Sequence, residues 1–405
     1  MMQLTEKQKG MLKGKEGEAV KKAMELITAL GDIYGAERLI PVSSVQVSGV
    51  SYKTIGDAGL EFIEDYARIM KEEGIEVRVK TTMNPAGMDL EKWEKMGVPP
   101  EFAKKQMRIF EAYTSMGIEP SLTCTPYYFV NVPKFGEHIA WAESSAVSYA
   151  NSVMGARTNR EGGPSALASA ITGLTAEYGL HLDENRKADV IVELDFEPEP
   201  YLYAVLGNHL GSTLTRMGKK VPYFRGIKPE LDSMKALGAA MAATGSIALY
   251  HVENITPEWK NAVDDELEVM HIGRTELTEH IKGMDMGCEP ELIAIGCPHA
   301  SESELKRIAE LVDGRKKRPD KELWVSISRA VAERNPDAVE TIERFGGLVL
   351  RDTCMVVSPI ENRFKSTGVN SGKAAYYLPK ESFCRQCIRF RPLEELVMMA
   401  VEGEK

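Results

Sequence analysis

Cys124, Cys297 and Cys354 stand in three similar settings: Thr-Cys-Thr-Pro, Gly-Cys-Pro-His and Asp-Thr-Cys. Each is expected just past a short apolar strand, in a polar loop. The carboxyl ends of parallel strands share one edge of a sheet, where α/β proteins keep their chemistry. Three thiolates converging there suit an iron–sulfur cluster or zinc. One such cysteine taken alone reads first as a small buried hydrophobe. The gaps between the three are too wide for a metal-binding motif, so only their equivalent contexts argue for a shared site. A rival is Cys384-Arg-Gln-Cys387, a local C-x-x-C that fits a redox pair or half a zinc site. Cys288 has no partner context and reads as structural.

A second chemistry is anion binding. The run Arg157-Thr158-Asn159-Arg160 leads through Gly162-Gly163-Pro164 into a helix expected over 165–178. Free N–H groups at a helix start attract anions, and arginine forks grip carboxylate or phosphate. The same run also reads as a loop whose arginines bond helix ends. Lys373, in Asn-Ser-Gly-Lys, resembles a helix start with a lysine, but the upstream glycine of a P-loop is missing. His138 and Glu143 are five apart, which does not give the i, i+4 face of a zinc helix.

Alternating helical and strand patterns must position these residues, so the fold class is α/β. Helices are expected over 15–31, 55–73, 231–243, 302–312 and 336–345. Strands are expected over 39–47, 76–80, 247–252, 291–296, 323–328 and 347–350. Another strand is expected after Glu119, leading to Cys124. Ser301, with Glu304, marks a capping box at the start of the helix expected over 302–312. The strongest pattern places a Rossmann-like domain at 229–353. Residues 1–228 plus 354–405 then form a larger α/β domain.

The chain has 405 residues, 43% of them hydrophobic, enough for two or three domains. A net charge of -10 argues against nucleic acid, whose phosphates need clustered Lys and Arg. The basic run 314–318 reads as a solvated loop. No apolar run spans a bilayer, and the polar first residues lack a signal core. A cytoplasmic location is therefore expected, with the six cysteines reduced, catalytic or metal-bound rather than disulfide-paired.

Several segments together resemble aconitase X, a branch of the aconitase superfamily. They are VSGVSYKTIGDAGLEF (47–62), TTMNPAGMD (81–89), LTCTPYY (122–128), AESSAVSYANSVMGARTNREGGP (142–164), GCPH (296–299), RDTC (351–354) and NSGKAAYY (370–377), spread in order over most of the chain. The resemblance implies an aconitase-like large subunit with parallel-rich sheets flanked by helices. It implies a hydro-lyase whose iron–sulfur cluster, 4Fe–4S, is held by Cys124, Cys297 and Cys354. Archaeal members of about this length imply dehydration of 5-phosphomevalonate to trans-anhydromevalonate 5-phosphate in a modified mevalonate pathway. Longer bacterial and fungal members imply cis-3-hydroxy-L-proline as the alternative substrate. A non-catalytic or RNA-binding relative is a reading of another class. Classical aconitases take two thiolates from a C-x-x-C, whereas here the matching cysteines are dispersed. The swivelling domain that carries the catalytic serine base is expected on a separate small subunit, because too few residues follow Lys373 to build it. Ser51, Asn84, Arg157, Thr158, Asn159, Arg160 and Lys373 are the expected substrate contacts. Thr123 and Thr125 are candidates for hydrogen bonding to cluster sulfur.

Overall fold

The computed structural model describes residues 2–263 and 266–403. Its strands form three parallel sheets and one antiparallel pair, and helices flank them. The first sheet has Ser44–Val47 at its centre, between Lys80–Met83 and Ala140–Trp141. The second runs His251–Val252, Pro222–Arg225, Val190–Leu194, Val269–Ile272. The third, with five strands, runs Leu348–Leu350, Glu322–Ile327, Leu292–Ala300, Ser366–Val369, Cys387–Phe390. A boundary at 228/229 falls between neighbours in the second sheet, and one at 353/354 between members of the third.

The chain leaves Leu292–Ala300 to build one side of the third sheet and returns to its other side with Ser366–Val369. The carboxyl end of Leu292–Ala300 is therefore a topological switch point, where crevices form. This strand is buried along its whole length, as the apolar run Leu-Ile-Ala-Ile demands in a sheet covered on both faces. The helix after it starts as expected: Ser301 accepts from the Glu304 N–H, and Glu304 accepts from the Ser301 N–H at 2.9 Å.

Several expected elements shift. The strand expected at 76–80 begins only at Lys80. Val77 and Arg78 donate instead to Met116 and Ala170 carbonyls, outside the ladder. Before Cys124 there is no strand, only an isolated bridge between Thr82 and Glu119. Pro120 lacks an N–H to continue the ladder, and Leu122 takes a φ of 46°. The strand expected at 247–252 shortens to His251–Val252. The strand expected at 291–296 instead runs on through Cys297 to Ala300, with a register shift after Ile295. Gly296 makes that shift possible. Its φ is 103°, and a Cβ there would lie 2.2 Å from the Ser326 carbonyl oxygen.

Among the described residues no helix is long and apolar enough to cross a membrane. Cys387 is paired with Cys288, their Cα atoms 6.1 Å apart. This corrects the expectation of six unpaired thiols and of a Cys384–Cys387 couple. Met286 donates to the Ile388 carbonyl and so brings Cys288 against Cys387. Cys384 is turned inward, against Lys53 Nζ at 3.1 Å.

Candidate active site

The carboxyl edges of the first and third sheets face each other. The Ala86 N–H donates to the Asp352 carbonyl, and Ala86 pairs with Thr353 as an isolated parallel bridge. Asp352 is fully buried and clamps this junction: its carboxylate accepts from Arg329 and from the Leu90 N–H at 3.0 Å. Asp89 answers from the other side, accepting from the Arg351 N–H at 2.8 Å. The Cys124 segment joins the same edge, since Thr123 N–H donates to the Met83 carbonyl and Ser121 bonds both polar backbone atoms of Met83.

Cys124, Cys297 and Cys354 are thereby drawn to one buried place, 4%, 6% and 6% exposed. They lie within electrostatic reach of one another. Burial, then the neighbouring Glu143, pushes the Cys124 thiol up. The contact between Cys297 and Cys354 pulls the Cys354 thiol down to about 7 and pushes Cys297 up, with burial adding to the latter. His299 is also at this centre. Its N–H donates to Cys124 Sγ at 3.2 Å, and its ring contacts Thr123 and Thr353.

Lys373 is the cation of the site. It is buried against Glu143, with Ser145 Oγ at 3.3 Å. Glu143 caps the helix Ser144–Ser152 through the Ala146 N–H. Burial alone would raise its carboxyl, but Lys373 and the bonds from Ser145 and Ala146 outweigh it and hold it below the usual range. For Lys373 burial opposes the charge, yet Glu143, Cys297 and Cys124 together raise its affinity for the proton. Sequence reasoning missed Glu143 and His299 as site members. Glu143 is the only acidic side chain in an otherwise small and apolar stretch, Ala-Trp-Ala-Glu-Ser-Ser-Ala, and His299 stands two residues after Cys297.

Ser51 and Asn84 are brought to the same region. Ser51 Oγ donates to the Val357 carbonyl at 2.8 Å, three residues past Cys354. Asn84 follows the strand Lys80–Met83, and its buried Oδ1 has no hydrogen-bond partner. The run from Arg157 to Arg160 is engaged elsewhere. Arg157 binds Asp183 and the His181 carbonyl. Thr158 binds the Trp141 N–H and the Asn159 carbonyl. Asn159 binds the Tyr178 carbonyl and the Leu180 N–H. Arg160 reaches the Ala242 carbonyl and Ser246 at the end of the helix Leu231–Gly245. Asn159 also lines a cavity of about 380 Å³, with Lys220 and Ser246, that holds no cysteine. Thr123 turns its hydroxyl to His299 rather than to sulfur.

A narrow opening leads to Cys297 between Lys235, Pro298, Asn370 and Ser371. Through Ala236, Glu304 and Asn370 it meets a wider cleft of about 460 Å³.

Three family models match along the chain: Aconitase X first domain over residues 1–184, second domain over 188–282 and third domain over 290–402. The chain belongs to the aconitase X family. The crystal structure of Thermococcus kodakaraensis aconitase X in its holo-form is 48% identical, with a TM-score of 0.89, covering 98% of this chain and 99% of that one. The phosphomevalonate dehydratase large subunit of Methanocaldococcus jannaschii is 51% identical, covering 98% of this chain and 99% of that one. The cis-3-hydroxy-L-proline dehydratase of Pseudomonas aeruginosa is 33% identical over 97% of this chain but only 69% of its own length.

An aconitase X chain raises the question of whether these residues fit an iron–sulfur cluster. Among the described residues no three Cys, His, Asp or Glu side chains close around one point as a single metal ion requires. A cluster takes its thiolates on separate irons, so a wider spread of donors suits it. Three buried thiols of like chemistry, one already drawn towards the thiolate and all within the field of Lys373, are a donor set that fits.

Proposed function

We propose that this chain is the large subunit of a hydro-lyase that dehydrates 5-phosphomevalonate to trans-anhydromevalonate 5-phosphate in a modified mevalonate pathway. The observation that carries the substrate is end-to-end identity of 51% with a relative named for phosphomevalonate dehydration, against 33% with the hydroxyproline relative. In this reading Cys124, Cys297 and Cys354 hold an iron–sulfur cluster, 4Fe–4S. When bound, such a cluster with three protein thiolates offers an open iron as a Lewis acid for the substrate's hydroxyl and carboxylate.

The chain's own residues do the rest of the positioning. Lys373 sets a fixed positive charge beside three thiolates, in a region that excludes water and so strengthens the attraction. Glu143 keeps that ammonium in place. Asn84 offers a free oxygen to a substrate hydroxyl, and Ser51 a hydroxyl already oriented by Val357. Arg157, Thr158 and Asn159 then brace loops, and Arg160, exposed although one of its nitrogens is held by the Ala242 carbonyl and Ser246, has further donors for the phosphate. The base is expected on a second, small subunit. The hydroxyproline relative has about a third of its length outside the match, which is the extent of chain such a partner would supply. Phe129, Val132 and Phe135, exposed in the segment after Cys124, give that partner an apolar surface beside the site. A cytoplasmic location accords with this chemistry. The three family models and the three parallel sheets that fall one in each of them support three domains, 1–184, 188–282 and 290–402, in place of two.

The reconstituted two-subunit enzyme, given each substrate anaerobically, tests the reading. Turnover of 5-phosphomevalonate is expected. Turnover of cis-3-hydroxy-L-proline alone would reassign the substrate. Replacing Cys384 and Cys387 with serine is expected to leave iron content unchanged; loss of iron there would move the cluster to the C-x-x-C.

A further inference from the structure

We propose that His299 is a positioning residue that staples the three cysteine segments together; the proposal rests on the three-cysteine reading above. His299 is wholly buried. Its two ring nitrogens reach opposite ways. Nδ1 meets Thr123 Oγ1 at 3.0 Å, next to Cys124. Nε2 meets the Thr353 carbonyl at 3.1 Å, next to Cys354. The residue itself follows Cys297 by two positions, and its own N–H donates to Cys124 Sγ at 3.2 Å. One side chain thus spans all three segments.

The proton positions follow from the partners. A carbonyl only accepts, so Nε2 carries the hydrogen. Nδ1 is then bare and accepts from the Thr123 hydroxyl. Thr123 Oγ1 in turn accepts from the Thr125 N–H at 3.1 Å, so the chain of bonds has one direction and no spare donor. Only an imidazole presents a donor and an acceptor at opposite edges of one rigid ring. An amide places both at one end, and a phenyl ring offers neither. No ladder joins the Cys124 segment to the strand of Cys297, because Pro120 and Leu122 end the extended run before it. The bonds from His299 to Thr123 and Cys124 take the ladder's place and fix one thiol relative to the other two. Partners that orient metal ligands from behind are worth about 10–100-fold in affinity.

The test uses the full chain reconstituted anaerobically with ferrous iron and sulfide, as wild type and as Thr123→Val, His299→Phe and His299→Gln. Iron and sulfide per chain, the paramagnetic resonance line shape after one-electron reduction with dithionite and the half-life of the visible absorption under a chelator are read, with far-UV circular dichroism as the fold control. Thr123→Val and His299→Phe are expected to shorten that half-life about 10–100-fold and to alter the line shape, with the dichroism native. His299→Gln, which retains one donor, is expected to fall between. A Thr123→Val, His299→Phe double variant should lose no more than His299→Phe alone, because His299→Phe already cuts the arm to Thr123. If His299→Phe does not fold, Thr123→Val decides. A folded Thr123→Val protein with wild-type half-life and line shape would overturn the staple while leaving the cluster in place. A wild-type chain that takes up no iron or sulfide would overturn the three-cysteine reading, and the staple with it.

Discussion

At Lys373 two opposite charges leave water together. Glu143 and Lys373 are both buried, so removing one strands the other. Lys373→Met is expected to lower stability by about 3–5 kcal/mol, whereas Lys373→Met with Glu143→Gln recovers much of it. Denaturant unfolding of the single and double variants measures both effects. His181 makes a different residue-scale prediction. Burial, then the nearby His138 and Arg186, brings its imidazole from 6.5 down to about 3. Between those values the unfolded chain binds a proton that the folded chain refuses, so stability falls as pH drops below 6.5. The slope approaches about 1.4 kcal/mol per pH unit for this one group. Thermal melts from pH 7 to pH 5 should show the decline, and His181→Gln should reduce it. Of the two, His181 did not announce itself in the sequence. Lys373 was legible as a functional lysine, but its partner Glu143 was not, because an ion pair across 230 residues leaves no local pattern. The arginines near 157 were legible as polar and grouped. Their partners, Asp183, Ser246 and two backbone carbonyls, appear only once the chain has folded back.

At the scale of elements, the strand Leu292–Ala300 depends on one residue without a side chain. Gly296→Ala puts a methyl group against the Ser326 carbonyl at a φ that side chains avoid. A loss of about 2–4 kcal/mol is expected, with displacement of Cys297. Calorimetry and iron content measure the two consequences separately. Ser301→Ala is milder, costing about 1 kcal/mol through the lost cap. Helices at 302–312 and 336–345 were readable to the residue, because each carries its own start signal and apolar stripe. The strands were read less well. A strand's limits are set by its neighbour's hydrogen bonds, which is why the one expected before Cys124 dissolved into a single bridge and the one at Cys297 ran four residues longer. The pairing of Cys387 with Cys288 was invisible for the same reason: it follows from where Met286 meets Ile388.

At the scale of the whole molecule, the candidate site lies where the carboxyl edges of two sheets meet, and the segment that follows Cys124 carries exposed apolar side chains. Phe135 is 64% exposed and Val132 56%, both in the segment that follows Cys124. Val132→Glu with Phe135→Glu is expected to abolish co-purification of the small subunit and leave the melting temperature of the large chain within a few degrees. Size-exclusion chromatography of the co-expressed pair measures the first and calorimetry the second. Retained association would place the partner on another face.

The three cysteines sit on segments that the ribosome makes at very different times, Cys354 emerging 230 residues after Cys124. With these three as ligands, a chain not yet made as far as Cys354 owns at most two of them and has nothing to close around a cluster. Iron would then be delivered only to chains made past Cys354 and folded there, so cofactor loading doubles as an inspection of that junction, and a copy cut short before Cys354 stays empty.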